Sequence, residues 1–256
     1  MRVGRGVGAA VMAAGIVRAG VAGLRRTTPG GRARWERKNY AGRTVELYAG
    51  PASALAVALG AGRVRPAAGV VVAVAGLCGA YDDVAGDHRR GFRAHLAALR
   101  EGEVTSGAVK LFGISAAGLV AGALLKERGV DKVLAGVVIA GAAHFVNLVD
   151  VRPGRAAGVV LVLGAPGLTG EGAELAGVAM GAAAAVLPDD LGERAMIGDV
   201  GAHALGAALG AAVVVGNGRV GLVAHAAAVV AAAVCGDAVS RLSAAGRWGL
   251  VAPTRG

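Results

Sequence analysis

The run Gly198-Asp199-Val-Gly-Ala-His203-Ala-Leu-Gly-Ala-Ala-Leu-Gly-Ala-Ala-Val-Val-Val-Gly216 puts one carboxylate at the head of a long apolar block. An aspartate beside so many apolar residues is costly unless it meets water, a cation or a metal. Two more apolar blocks end in acids, at Gly79-Ala-Tyr-Asp82-Asp83 and at Asn147-Leu-Val-Asp150. Three acidic termini on separate apolar segments point to one shared polar centre at one face of a membrane.

Composition supports a membrane setting. Of 256 residues, 55% are hydrophobic and only 3% aromatic, and the mean hydropathy is +0.60. The apolar content is mainly Ala, Val, Leu and Gly, in blocks of about 15–22 residues, a length that reads as membrane spans. Small residues let helices approach closely in lipid. A soluble Ala-rich protein would need polar helix faces, which most blocks lack. The expected fold is therefore all-α: a polytopic integral membrane helical bundle, one domain over 1–256, with no second soluble domain. The net charge of +10 alone would suggest nucleic acid. Its distribution argues against that, because the basic residues cluster in loops between apolar blocks. Cys78 and Cys235 each stand alone in apolar sequence and read as small core residues, without metal spacing or a disulfide framework. Met1-Arg2-Val3-Gly4-Arg5 and the apolar run after it read as a first transmembrane helix rather than a signal peptide.

About nine spans are expected: 6–24, 49–62, 66–81, 107–125, 132–149, 156–169, 172–187, 200–216 and 219–236. Pro66 suits a helix start and makes the second and third spans a tight hairpin. One side then holds the loops 25–46, 82–106, 150–155 and 188–199 and the tail 237–256. The other holds 63–65, 126–131, 166–171 and 217–219. The first group carries most of the arginines, including Arg25, Arg26, Arg32, Arg34, Arg37 and Arg43, together with Lys38. That side is expected to be cytoplasmic in a multi-pass protein of the cell membrane, with the N-terminus outside. All three acidic sites fall on it. In 91–101, Phe92, Leu96 and Leu99 share one helical face apart from Arg93 and Arg100, which suits either an interfacial helix or a solvated connector.

Asp82 and Asp83 end one span, Lys110 starts another, Asn147 and Asp150 end a third, and Asp199 starts a fourth. Carboxylates in this number suit Mg²⁺, which favours oxygen ligands shared with substrate phosphates. A lysine adds a point charge for phosphate, and Asn147 and Asp150, three apart, share one helix face. The chemistry such a set permits is phosphoryl transfer, in which cations offset charge developing on the phosphate. Each element also has a plainer reading. Paired aspartates mark a water boundary, and Asp199 suits an N-cap. Asp189-Asp190 after Pro188 reads as a solvated turn or helix start. His144 and His203 read as packed helix residues, and His225 as facing neighbouring helices. Lys110, at a span end, is expected to snorkel to the interface.

The ordered set resembles the polyprenyl-phosphate glycosyl-1-phosphate transferases, which include phospho-N-acetylmuramoyl-pentapeptide transferase and the N-acetylglucosamine-1-phosphate transferases of wall polymer synthesis. The matching stretches are Asn39-Tyr-Ala-Gly-Arg43, Gly79-Ala-Tyr-Asp-Asp83, Thr105-Ser-Gly-Ala-Val-Lys110, Asn147-Leu-Val-Asp150 and Gly198-Asp-Val-Gly-Ala-His-Ala-Leu-Gly206. The resemblance implies a Mg²⁺-dependent exchange in which a polyprenyl phosphate attacks the sugar-bearing phosphate of a UDP-sugar and releases UMP. It implies Asp82 or Asp83 near the lipid phosphate as base or metal neighbour, Asp199 as metal ligand with Asp83, and Lys110, Asn147, Asp150 and Gly198 at nucleotide or phosphates. The implied partners are polyprenyl phosphate, a UDP-sugar and membrane lipid, with no nucleic acid and a homodimer left open.

The chain departs from that pattern in two places. Asp150-Val-Arg152-Pro-Gly-Arg155 stands where the family carries an Asp-Gly pair with a second Asp, so Arg152 and Arg155 either bind phosphate or anchor the span end. The family's histidine-rich loop before a last span is missing. Two rivals remain beside a transferase. One is a catalytically inactive relative that binds lipid phosphate or UDP-sugar as a scaffold. The other is a transporter, disfavoured because coupling carboxylates usually sit near the midplane.

Overall fold

In the computed structural model, which describes residues 1–86 and 97–245, the apolar blocks become helices. They are α1 (Arg2–Thr27), α2 (Ala49–Val64), α3 (Pro66–Ala85), α4 (Ser106–Leu125) and α5 (Gly129–Val149). After them come α6 (Arg155–Gly164), α7 (Ala173–Leu191), α8 (Gly198–Gly216), α9 (Arg219–Val234) and α10 (Gly236–Ala244). α8 is the axis: α2, α3, α5 and α7 all pack on it, and nearly all its residues from Val200 to Ala212 are buried. Buried residues from Ala13 on α1 to Ala226 on α9 form one contiguous apolar cluster.

The chain alternates between two ends of this bundle. At one end Arg2 pairs with Glu171, Arg5 with Glu174 and Arg219 with Asp131, while Lys126 Nζ donates to the Asn217 carbonyl. At the other end Arg25 pairs with Asp189 and Glu46, and the starts of α2 and α8 meet. The acids singled out above all lie at this second end, called here the site end.

Among the described residues five helices, α1, α3, α4, α5 and α8, are long and apolar enough to cross a membrane, and α9 with α10 would add a sixth as a broken span bent by 81°. The nine spans expected from the apolar blocks exceed that number for definite reasons. α2 and α9 have 16 residues each, about 24 Å at the α-helical rise, against a hydrocarbon core of about 30 Å. α6 has 10 residues before Ala165 and Pro166 turn it into a 3-10 turn. α7 carries Glu174, Asp189 and Asp190.

Other expectations are also revised. The 25–46 segment is not a plain loop, since β1 (Glu36–Lys38) pairs antiparallel with β2 (Thr44–Glu46). Asn39 closes this ribbon, its Oδ1 accepting the amides of Ala41 and Arg43, and Gly42 takes φ 75°. α3 runs on to Ala85, so Asp82 and Asp83 sit in its last turn rather than in a loop. Cys235 is exposed at the α9–α10 corner and is not a core residue, whereas Cys78 is half-buried and packs against the core. His225 is exposed, its Nδ1 bonded to the Gly221 carbonyl. Residues 97–100 are helical; the rest of the expected interfacial helix, with Phe92, Arg93 and Leu96, lies outside the described residues.

α1 and α7 run side by side in the same direction, so close that a Cβ on Gly177 would meet the Gly6 carbonyl oxygen. Gly177→Ala is expected to destabilise by about 1–3 kcal/mol through overpacking. Gly15, on α1 with open space around it, is the control: Gly15→Ala is expected to stabilise by up to about 1 kcal/mol. Thermal unfolding in detergent checks the pair, and shifts of the same sign would refute the close-contact account.

Candidate functional site

Thr105 starts α4 as an N-cap, its Oγ1 accepting the Ala108 amide at 3.1 Å. That start carries Lys110 inward, where its Nζ donates to Asp82 Oδ2 at 2.5 Å and to Asp199 Oδ2. The three side chains are only 14%, 23% and 26% exposed, lysine first. Lys110 therefore does not snorkel to the interface. Two carboxylates from α3 and α8 give its ammonium more stabilisation than an interfacial position would. The close approach needs Gly79, where a Cβ would strike the backbone of Asp199.

Asp83 does something different from its neighbour. Its two oxygens accept the backbone amides of Asp199 at 3.3 Å and Val200 at 3.2 Å. It thus caps α8 from another helix, and Ile197 at the N-cap position supplies no side-chain acceptor. Asp199 sits inside the first turn and is not the cap. Gly198 has φ 57°, and a Cβ there would stand 2.9 Å from Asp83 Oδ2. The structure therefore gives Gly198 a conformational reason for being glycine. Arg37, which sequence reasoning did not single out within its cluster, donates to the Asp83 carbonyl at 3.3 Å and fastens the ribbon to α3.

Asn147 and Asp150 close α5. Among the described residues neither side chain has a hydrogen-bond partner, although the Asp150 amide bonds the Asn147 carbonyl. Burial raises the Asp150 carboxyl well above the ordinary carboxylate range, and the charges of Asp190, Asp199 and Asp83 raise it further. Those couplings put the ends of α3, α5, α7 and α8 within electrostatic reach of one another. Asp190 is not a solvated turn residue. It is buried and accepts the Gly154 amide at 2.7 Å, whereas Asp189 pairs with Arg194 and Arg25. The Arg152 guanidinium lies 5.1 Å over the Tyr40 ring, and Arg155 is buried at the start of α6. His144 and His203 are packed, as expected, edge to face with centroids 5.6 Å apart. His203 Nδ1 bonds the Asp199 carbonyl at 2.8 Å, and the Nε2 atoms of both rings have no partner among the described residues.

Among the described residues no group of three or more His, Cys, Asp or Glu gathers to hold a metal. Asp82 and Asp199 nevertheless converge on a single point, held by the Lys110 ammonium. Two carboxylates suit a Mg²⁺ ion that arrives on substrate phosphates and do not suit an all-protein cage. Beside them opens a cavity of about 400 Å³ whose lining includes Arg34, Trp35, Leu47, Ala80, Asp83 and Val84. The sequence signal for that cavity was the arginine-rich 25–46 stretch, and Trp35 was missed.

Comparison with models of known protein families finds no match, and comparison with curated proteins finds no similar one.

Removing Lys110 would leave two half-enclosed acids facing each other. Lys110→Ala is expected to destabilise by about 3 kcal/mol, and adding Asp82→Asn and Asp199→Asn should recover part of the loss. Chemical unfolding of the single and triple variants checks this, and an additive loss would refute the bridge. Asp150 gives a pH test. A carboxyl with a raised folded pKa supports stability at acid pH and withdraws it as pH rises through that value. Asp150→Asn should therefore leave the melting temperature unchanged near pH 4 and raise it at pH 8. An equal shift at both pH values would show that burial does not hold the proton on Asp150.

Proposed function

We propose that this protein transfers a sugar-1-phosphate from a UDP-sugar to a polyprenyl phosphate at the cytoplasmic face of the cell membrane, releasing UMP for cell-envelope polysaccharide synthesis. One observation carries the reading: Lys110 joins Asp82 and Asp199 at a bundle end that also bears an apolar cavity and the side chains of Asn147 and Asp150, which have no hydrogen-bond partner among the described residues. An oxygen of the lipid phosphate attacks the sugar-bearing phosphorus, the bond to the UMP oxygen breaks, and a diphosphate-linked sugar remains on the lipid. Asp82 takes the proton of the incoming phosphate, and the Lys110 ammonium offsets charge on the transferred phosphoryl oxygens. Mg²⁺, held by Asp199 together with substrate phosphates, would neutralise the pyrophosphate. Asn147 and Asp150 present free polar groups to the nucleotide or sugar.

In this reading α1 to α9 make nine crossings, the shorter helices matched by locally thinned lipid. The arginines of 25–46 hold the site end on the cytoplasmic side. A second reading, a catalytically inactive scaffold that binds lipid phosphate or UDP-sugar, is favoured by one fact: Lys110 already satisfies both Asp82 and Asp199.

UMP release by the purified chain with Mg²⁺, a polyprenyl phosphate and a panel of UDP-sugars separates the two. Asp82→Asn and Asp199→Asn are each expected to lower turnover on the order of a hundredfold. Asp83→Asn, which keeps one capping oxygen, is expected to lose less. Absence of UMP release with every UDP-sugar, while binding persists, would establish the scaffold.

A further inference from the structure

Around the site end several arginines are held by acids: Arg25 by Glu46 and Asp189, Arg194 by Asp189, Arg32 by Glu36 and Arg43 by Glu193. Arg152, on the turn between α5 and α6, is different. It is half-buried, and its side chain has neither an acid nor a hydrogen-bond acceptor among the described residues. Its guanidinium lies instead over the Tyr40 ring, 5.1 Å from the centroid, within cation–π range. Attraction to a ring face leaves the planar fork of N–H donors available, and that fork matches an oxyanion.

The β1–β2 ribbon puts Tyr40 in place. Asn39 Nδ2 donates to Glu193 Oε2 at 2.8 Å, and Arg43 pairs with the same carboxylate at 3.3 Å. Glu193 takes φ 52°, a left-handed conformation uncommon for a residue with a side chain. The ribbon tip is thereby fixed on the segment after α7, and Tyr40 meets Arg152 from it. Position then decides what the guanidinium can bind. Arg152 follows Asp150 by two residues, and Asp150 with Asn147 is assigned to the nucleotide or sugar. In the same reading the phosphates are met by Lys110 and by a metal at Asp199. A further cation beside Asp150 matches negative charge elsewhere on the donor. Uridine is neutral, so the sugar is the part that can carry it.

We propose that the sugar of the nucleotide-sugar donor is acidic, and that Arg152, backed by the Tyr40 ring, binds its carboxylate through paired N–H donors. The proposal rests on the transferase reading for the nucleotide and its phosphates, and it adds the charge of the sugar. Tyr40 is a positioning residue that acts through Arg152.

UDP-glucuronic acid and UDP-glucose test this, since they differ only by a carboxylate in place of a hydroxymethyl group. Calorimetric titration of the full chain in detergent with Mg²⁺ is expected to show UDP-glucuronic acid binding about tenfold more tightly or better, the scale of one charge-assisted hydrogen bond. Arg152→Gln is expected to bring UDP-glucuronic acid down to the level of UDP-glucose. Tyr40→Leu should reduce the preference about threefold, while Tyr40→Phe, which keeps a ring, should retain it. The ratio of the two affinities is the readout, because a contact that only fastens the ribbon to the turn would leave it unmoved. Equal binding of the two sugars, equal loss of both in Arg152→Gln, or binding of neither overturns the proposal. Equal loss would assign the guanidinium to the uridine or the diphosphate, which both ligands share. The titration needs no turnover. Selective binding without UMP release would leave the acidic-sugar site standing and remove the transferase, whereas UMP release from neutral UDP-sugars, indifferent to Arg152→Gln, would do the reverse.

Discussion

The ammonium of Lys110 between Asp82 and Asp199 is the constraint on which the site end depends. α3 and α8 each bring an acid to a place where water is scarce, and two such acids repel unless a cation stands between them. α4 supplies that cation because Thr105 caps its start and sets its first turns. Three helices are thereby fixed at one end by charge, although along most of their length they touch through Ala, Gly and Val. In a bundle with only 3% aromatic residues to lock its helices in register, such a polar clasp helps determine which residues face each other.

The adjacent aspartates divide two tasks between them. Asp82 faces α4 and belongs to the charge cluster, while Asp83 faces the first turn of α8 and replaces the N-cap that Ile197 cannot provide. The consequence for chemistry is direct. Asp83 is committed to the α8 amides, and Asp82, which meets the Lys110 ammonium, is the acid placed in the charge cluster. The same cap presents Asp199 to Lys110, and the ribbon adds to it through Arg37 on the Asp83 carbonyl.

Much of this was legible in the chain. Apolar blocks gave the helices, and acids at their ends indicated a common centre, because burying charge on three separate helices is too costly without a shared partner. What stayed illegible has physical causes. An apolar block does not reveal where a helix breaks, so the 3-10 turn that ends α6 inside the expected span 156–169 gave no signal. Asp83 looks identical to Asp82 in sequence, and only the rotation of α3 separates a cap from a cluster member. Asp190 looked solvated because its partner, the Gly154 amide, is 36 residues away. The ribbon 36–46 was hidden among arginines, where charge rather than alternation dominates the pattern.

The small residues that mark this chain for a membrane also make its site geometry attainable. A lysine reaches two carboxylates on different helices only if the backbones of those helices nearly touch, as they do where Gly79 meets Asp199. A larger residue at that position would push α3 from α8, and the separation would reach Asp82, one turn further along, and the Asp83 cap with it. The glycine and alanine content is therefore not only packing material for lipid surroundings. At the site end it sets the spacing of charged groups, and that spacing decides whether Asp82 and Asp199 act on one cation or stand as separate, costly acids.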